Sequence, residues 1–150
     1  MPLRRDDILF PNLSFILRGH CFGVHNELGR YSREKQYCDK LEERLQRDKL
    51  SYHREFIIGD TGNIADFEVN GQILIEVKAR YPMIKADYFQ LQRYLQSSGY
   101  ELGILTNFRY RKVLPIRILR IDPSAKGKFG IPKEIACHFE DTPQEQYHSN

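Results

Sequence analysis

Three ionisable residues stand where apolar strands normally exclude charge. Asp66 interrupts "NIADFEV", and Glu76 and Lys78 interrupt "QILIEVKA". An unpaired ion buried in such a run costs several kcal/mol, so a run that keeps three of them needs a reason. Residues two apart on a strand share a face, which sends Leu74, Glu76 and Lys78 one way and Ile73, Ile75, Val77 and Ala79 the other way, into the core. Carboxylates gathered on one face repel unless a cation bridges them. Oxygen-only ligands of this kind suit Mg²⁺, with Mn²⁺ as a substitute, and do not suit zinc or copper. A lysine beside such a site can position or activate a water, or offset charge on a reacting phosphate.

The hairpin between the two strands decides whether these groups can meet. Asn70-Gly71 is a strong turn signal. If it forms a two-residue loop, Asp66 faces Ile75 and lies on the opposite side of the sheet from Glu76. If the loop holds three residues, Asn70 to Gln72, Asp66 sits directly across from Glu76. A type I turn with Gly in a bulge would provide that register. The metal-site reading therefore requires the three-residue loop or an equivalent bulge.

Helices must supply the remaining polar groups. Leu17, Cys21, Val24 and Leu28 recur at helical spacing over residues 13–28, with Gly29 as a stop. Ser32 is the expected N-cap of a second helix running to about Lys49, striped by Cys38, Leu41 and Leu45. Glu34 extends that stripe and lies in the first turn, where the helix dipole favours a carboxylate. A third helix, from Ile84 to about Ser98, carries Ile84, Tyr88, Leu91 and Leu95 on its apolar face and ends at Gly99. Gln90 and Tyr94 flank that face one turn apart. With "YHREFII", "ELGILTNF" and "VLPIRILRI" as further strands, the order is ααβββαββ. This order makes an α/β or α+β layer around one mixed sheet. Pro115 places the last strand at an edge or delays its start.

The chain's 150 residues fit one domain, and the charge of +3 permits a polyanionic partner without demanding one. Cys21, Cys38 and Cys137 are an odd number without C-x-x-C spacing, which argues against a disulfide framework or a zinc ribbon and favours a reducing cytoplasm. The pairs His20-Cys21 and Cys137-His138 lack zinc-motif spacing, and His25 reads as a packing or capping residue. No signal peptide or membrane span is expected. After Asp122 the polar, Gly/Pro-containing composition reads as a surface extension with a frayed end.

In order and spacing, "VHNELG" at 24–29, "EKQY" at 34–37, "IADFEV", "LIEVKA", "QLQRYLQSSGYELGILTNF" at 90–108 and "IRILRI" resemble the PD-(D/E)XK nuclease superfamily, and within it the GxxExxY family. The resemblance covers roughly residues 17–121. It implies a restriction-endonuclease-like fold and a metal held by Asp66, Glu76 and the Val77 carbonyl. It also implies Lys78 as catalytic lysine and Glu34 as a helix carboxylate near the metal. Gln90 and Tyr94 match the Q-x-x-x-Y element that supports the active site and the DNA. Ala65 stands where the superfamily's name has proline, and Tyr31 stands where the family has its leading glycine.

Each residue also has a plainer explanation. Asp66, Glu76 and Lys78 would also make a cross-strand salt bridge, dipole electrostatics alone would explain Glu34, and Tyr94 would also fit as a rim aromatic. The stretch "NFRYRKV" interleaves Arg109, Arg111 and Lys112 with Phe108 and Tyr110, a composition suited to gripping phosphates and stacking on a base, or to a solvated loop. Lys126 and Lys128 would extend that surface. The expectation is a nuclease-like domain over residues 1–121 with an extension over 122–150. It would catalyse Mg²⁺-dependent hydrolysis of a nucleic-acid phosphodiester, DNA ahead of RNA, with a homodimer or partner protein sharing the substrate. The alternative is a catalytically idle nucleic-acid-binding or protein-interaction module on the same fold.

Overall fold

The structure is a computed structural model that describes residues 9–122, 124 and 130–143. Two helices come first, α1 (Pro11–Leu28) and α2 (Glu34–Arg47). Three strands follow, β1 (Tyr52–Ile58), β2 (Asn63–Val69) and β3 (Ile73–Lys78). Then come α3 (Lys85–Ser98), β4 (Leu102–Asn107), β5 (Ile116–Leu119) and a short α4 (Lys133–Ala136). The five strands lie in sequence order in one sheet; only β3 and β4 are parallel, joined across α3. The chain is thus an α/β protein with a mixed sheet between helices, as its element order implies. β5 lies at an edge and begins after Pro115.

Each sheet face has its own core. Leu17, Cys21 and Val24 of α1 and Tyr37, Cys38, Leu41 and Leu45 of α2 close over Phe67, Val69, Ile73, Ile75 and Val77. Tyr88, Leu91 and Leu95 of α3 close over Leu74, Leu105, Ile116 and Ile118. The expectation that only the Ile73/Ile75/Val77 face meets a core is therefore corrected. Leu74 is fully buried beneath α3, because a crossover helix covers the second face of a parallel pair. Gln92 ties α3 to the edge strand, donating to the Leu119 carbonyl at 2.7 Å and accepting from the Ile121 N–H at 3.1 Å.

One local expectation is also corrected. Ser32 does not cap α2; Arg33 occupies that position, and its N–H is accepted by the Gln36 side chain at 2.8 Å. The Ser32 N–H instead meets the Tyr37 hydroxyl at 3.1 Å, which itself donates to the Gly29 carbonyl at 2.6 Å. Part of the segment after Asp122 packs on the domain: Phe139 is buried in the α3-side core, and Glu140 pairs with Ile84 just before α3. Lys126, Lys128 and residues 144–150 lie outside the described residues.

Gly103 of β4 allows the close approach of α3. A Cβ there would lie 2.8 Å from one Leu91 methyl carbon and 3.0 Å from two more leucine atoms. Gly103→Ala is expected to destabilise the protein by about 1–3 kcal/mol through overpacking. A thermal melt reads this directly, and an unchanged Tm would mean that Leu91 moves aside freely.

Candidate functional site

The β2–β3 hairpin takes the three-residue form. Val69 pairs with Ile73, Glu68 with Leu74 and Phe67 with Ile75, which brings Asp66 opposite Glu76. The turn itself differs from the expected type I: Asn70 and Gly71 both take positive φ, 56° and 69°, and the Gln72 N–H closes on the Val69 carbonyl at 3.0 Å. Positive φ at both central residues matches the twist of a hairpin and suits Asn-Gly.

Beyond Phe67 the regular ladder stops and side chains replace it. The Val77 N–H donates to Asp66 Oδ2 at 2.7 Å, and the Asp66 N–H donates to Glu76 Oε1 at 2.9 Å. Each carboxylate is thereby fixed by backbone of the other's strand. Asp66 Oδ1 and Glu76 Oε2 have no hydrogen bond among the described residues. Glu76 Oε2 lies 3.8 Å from Lys78 Nζ, which in turn donates to Gln90 Oε1 of α3 at 2.7 Å. The structure thus brings Asp66, Glu76, Lys78 and Gln90 into one contiguous cluster.

The irregularity continues into β1. Arg54 pairs with Phe67 and Phe56 with Ala65, but Glu55, between them, has φ 54° and no pair. Ala65 packs on the α3 side and Phe67 on the α1/α2 side. Regular alternation would put these two residues on one face. The strand therefore turns over at Asp66, and Glu55 absorbs the matching turn on β1.

Crowding two carboxylates in a dry place raises their proton affinity. Burial, followed by repulsion from Asp66, pushes the Glu76 carboxyl up to about 8, against the pull of the Asp66 N–H and Lys78. Burial also raises Asp66, opposed by the Val77 N–H, Lys78 and Arg54. Glu34 opens α2 with an exposed side chain, yet its carboxyl is also raised, first by desolvation, and it feels Lys78, Asp66 and Arg80. Tyr94 is buried, and its phenol is raised by burial and by Glu76 and Asp66, which places it beside the carboxylate pair.

The 107–113 loop is divided between structure and surface. Phe108 is fully buried and stacks on Tyr37 with centroids 4.4 Å apart, so the expectation that it could stack on a base is corrected. Arg109 is turned inward, donating to the Ser32 carbonyl at 2.9 Å. Arg111 and Lys112 are exposed. His25 meets the Tyr110 carbonyl at 2.9 Å, a packing role. His20 joins Asp48 and Arg44 between the two helices and is no zinc ligand.

Several supporting residues left little trace in the sequence. Tyr37 holds the α1–α2 turn and so sets where Glu34 begins. Arg80 is paired with Asp87, and its backbone is bracketed by the Asn107 amide, which accepts from its N–H at 3.3 Å and donates to its carbonyl at 2.7 Å. Arg54 is held by Asp39 and Glu42 at 2.6 and 3.2 Å. Only "EKQY", which contains Tyr37, offered a signal.

Among the described residues no three His, Cys, Asp or Glu side chains form a metal-holding cluster. A small hard cation needs fewer, since Mg²⁺ is usually bound through one or two carboxylates with water completing the octahedron. A buried carboxylate pair whose proton affinity is raised lacks countercharge, and this donor set fits such an ion.

A family model described as the PD-(D/E)XK nuclease superfamily matches residues 11–118. No match was found among curated proteins or solved structures.

The raised Glu76 carboxyl sets a pH test. Its folded pKa exceeds its ordinary value of 4.5, so the folded state holds the proton more tightly. The stability of the metal-free protein should therefore fall as pH rises from about 4.5 to about 8 and then level off. Glu76→Gln should reduce this slope to what Asp66 and Glu34 contribute, and gain on wild type by more than ~1 kcal/mol above pH 8, since each unit is worth about 1.4 kcal/mol. Denaturant melts across this range check it; parallel curves for the two proteins would show that Glu76 ionises as it does in water.

Proposed function

The chain belongs to the PD-(D/E)XK nuclease superfamily, and we propose that it hydrolyses nucleic-acid phosphodiester bonds, DNA ahead of RNA, with Mg²⁺ or Mn²⁺. Members of this superfamily generally use divalent metal ions. The observation that carries the reading is the convergence of Asp66, Glu76 and Lys78, each fixed by a named partner, where regular β pairing has been given up. We further place the chain in the GxxExxY branch, on "VHNELG", "EKQY", "IADFEV" and "LIEVKA".

Asp66 Oδ1, Glu76 Oε2 and the Val77 carbonyl would hold the ion. The Val77 N–H points to Asp66, and in an extended strand a residue's C=O points toward the same neighbour. When bound, the ion supplies charge stabilisation for the phosphoryl oxygens and makes a neighbouring water more acidic. Lys78 Nζ, steadied by Gln90, orients the attacking water and faces the charge that grows on the phosphoryl group. The water oxygen bonds to phosphorus, the P–O bond to the leaving nucleotide breaks, and a terminal phosphate and a hydroxyl result. Glu34, at the rim of the pair, receives a proton or holds a second water. Tyr94 presents its hydroxyl to the same space. Arg111 and Lys112 meet backbone phosphates, whereas Arg109 acts from behind by fixing their loop.

The test is cleavage of labelled single-stranded DNA, duplex DNA and RNA in Mg²⁺, Mn²⁺ or EDTA. Wild type should cut only with metal. Asp66→Asn and Lys78→Ala should each lower the rate by about 10²–10³-fold or more, the scale for removing a group that stabilises the transition state. Gln90→Leu should cost less, about tenfold, because Lys78 remains but loses its anchor. Metal-independent cutting, or cutting that survives both Asp66→Asn and Lys78→Ala, would overturn the assignment. Salt-sensitive binding without any turnover would move the reading to an idle nucleic-acid-binding module.

A further inference from the structure

A cavity of about 270 Å³ shares only Lys112 with the chemistry above. It begins at Asn107, the cross-strand partner of Lys78, and its mouth is formed by the loop that follows β3. Tyr81 stands there 68% exposed, its ring set against Tyr110 at 5.2 Å and 61°. The Tyr110 hydroxyl accepts the Met83 N–H at 2.8 Å, which holds that ring as a fixed wall. Leu114 and Ile116 add apolar side chains to the lining. His138 and Glu140 bring polar groups to the rim, and Lys112 adds a cation that has no ion-pair partner among the described residues.

Size, chemistry and position agree on one kind of occupant. The volume lies just under the ~300–1,000 Å³ of drug-sized sites, which suits a single planar ring system. An exposed aromatic face, apolar lining side chains and a mixed set of donors and acceptors match an unstacked base. Asn107, which lines the cavity, pairs with Lys78 across adjacent strands, so the cavity and Lys78 share one end of the parallel strand pair. The wall contributed by Cys137, His138 and Glu140 lies outside residues 11–118, the part that matches the superfamily model.

We propose that this cavity receives one nucleobase of the strand being cut, unpaired and stacked on Tyr81, next to the phosphate at Lys78. The inference rests on the nuclease reading for its position and adds a base-reading step to it.

Cys137 provides the probe. It is exposed and lines the cavity, whereas Cys21 and Cys38 are buried and burial raises both thiols, Cys21 to about 12. A fluorescent maleimide at neutral pH should therefore label Cys137 alone, with Cys137→Ser as the unlabelled control. Labelling is followed in wild type with added dAMP, dCMP, dGMP or TMP, none of which has an internucleotide bond to cut, and with deoxyribose 5-phosphate as the baseless control. At least one mononucleotide should slow labelling several-fold, and deoxyribose 5-phosphate should not. Tyr81→Ala should need about tenfold more nucleotide for the same protection, the scale of a lost base–aromatic stack. Labelling that ignores every mononucleotide, equal protection by deoxyribose 5-phosphate, or protection unchanged in Tyr81→Ala would each overturn the proposal. Because the readout is independent of turnover, protection in a protein that cuts nothing would sink the nuclease reading alone, and cutting without protection would sink the cavity alone.

Discussion

The site depends on one exchange between β2 and β3. Past Phe67 and Ile75 the backbone no longer pairs with itself, and the Asp66 and Glu76 carboxylates accept the N–H groups that the ladder leaves behind. The Asp66 and Val77 N–H groups keep acceptors despite the break, which lets the sheet tolerate it. Each carboxylate commits one oxygen to the backbone and leaves the other without a protein hydrogen bond. The two acids are thereby fixed more tightly than rotamer preference alone would hold them. They are also forced together in a poorly solvated place, which raises both proton affinities. A fold selected for stability alone would not keep that repulsion. Its persistence here, together with the left-handed Glu55 opposite Asp66, is the kind of local cost that collects at functional sites.

Both helical layers meet at this break. From the α3 side, Gln90 holds Lys78 at the last residue of β3, and Tyr94 lies beside the carboxylates. From the other side, Tyr37 is wedged against Phe108 and bonds across the α1–α2 turn, which sets the first residue of α2 as Glu34. The same contact fixes the loop after β4, and Arg109 reinforces it by reaching back to Ser32. The strand that carries the acids, the helix that carries a third acid and the loop that carries exposed cations are therefore mechanically joined by one stacked aromatic pair.

Much of this arrangement was legible in the residues. The order of elements followed from periodicity, because each helix carries one apolar stripe and the strands are bounded by turn residues. The charges in the strands pointed to a candidate site, and hairpin arithmetic reduced the meeting of Asp66 and Glu76 to the length of one loop. The sequence left that length open, since Asn-Gly serves two- and three-residue loops alike. Interactions between distant segments were not legible. Phe108 reads as a loop aromatic until Tyr37 is placed against it, and Ser32 reads as an N-cap until the Tyr37 hydroxyl takes its N–H. Glu55 has no local signature at all, because its conformation answers the turn of Asp66 on the neighbouring strand. The covered second face was missed for a related reason: alternation in β3 counts Glu76 and Lys78 as polar without revealing that α3 lies over them.

The distribution of charge bears on how a polyanion would be held. A protein that binds chiefly through phosphates shows many exposed cations on one surface, and each contact contributes roughly 0.9 to the salt dependence on duplex DNA. Here the net charge is only +3, and several cations are already committed: Arg54 to Asp39 and Glu42, Arg80 to Asp87, Arg109 to a backbone carbonyl. Among the described residues beside the site, that leaves Arg33 beside Glu34, Arg93 beside Tyr94, and Arg111 and Lys112 as exposed cations without an ion pair, a small number for a long electrostatic track. Grip must then come from shape and stacking close to the reacting phosphate, and Tyr31 and Tyr81, 76% and 68% exposed, are the aromatic surfaces that could supply it. Both lie on loops that flank the break in the sheet, one before α2 and one after β3. The constraint that assembles the acids therefore also determines where a base would have to be held.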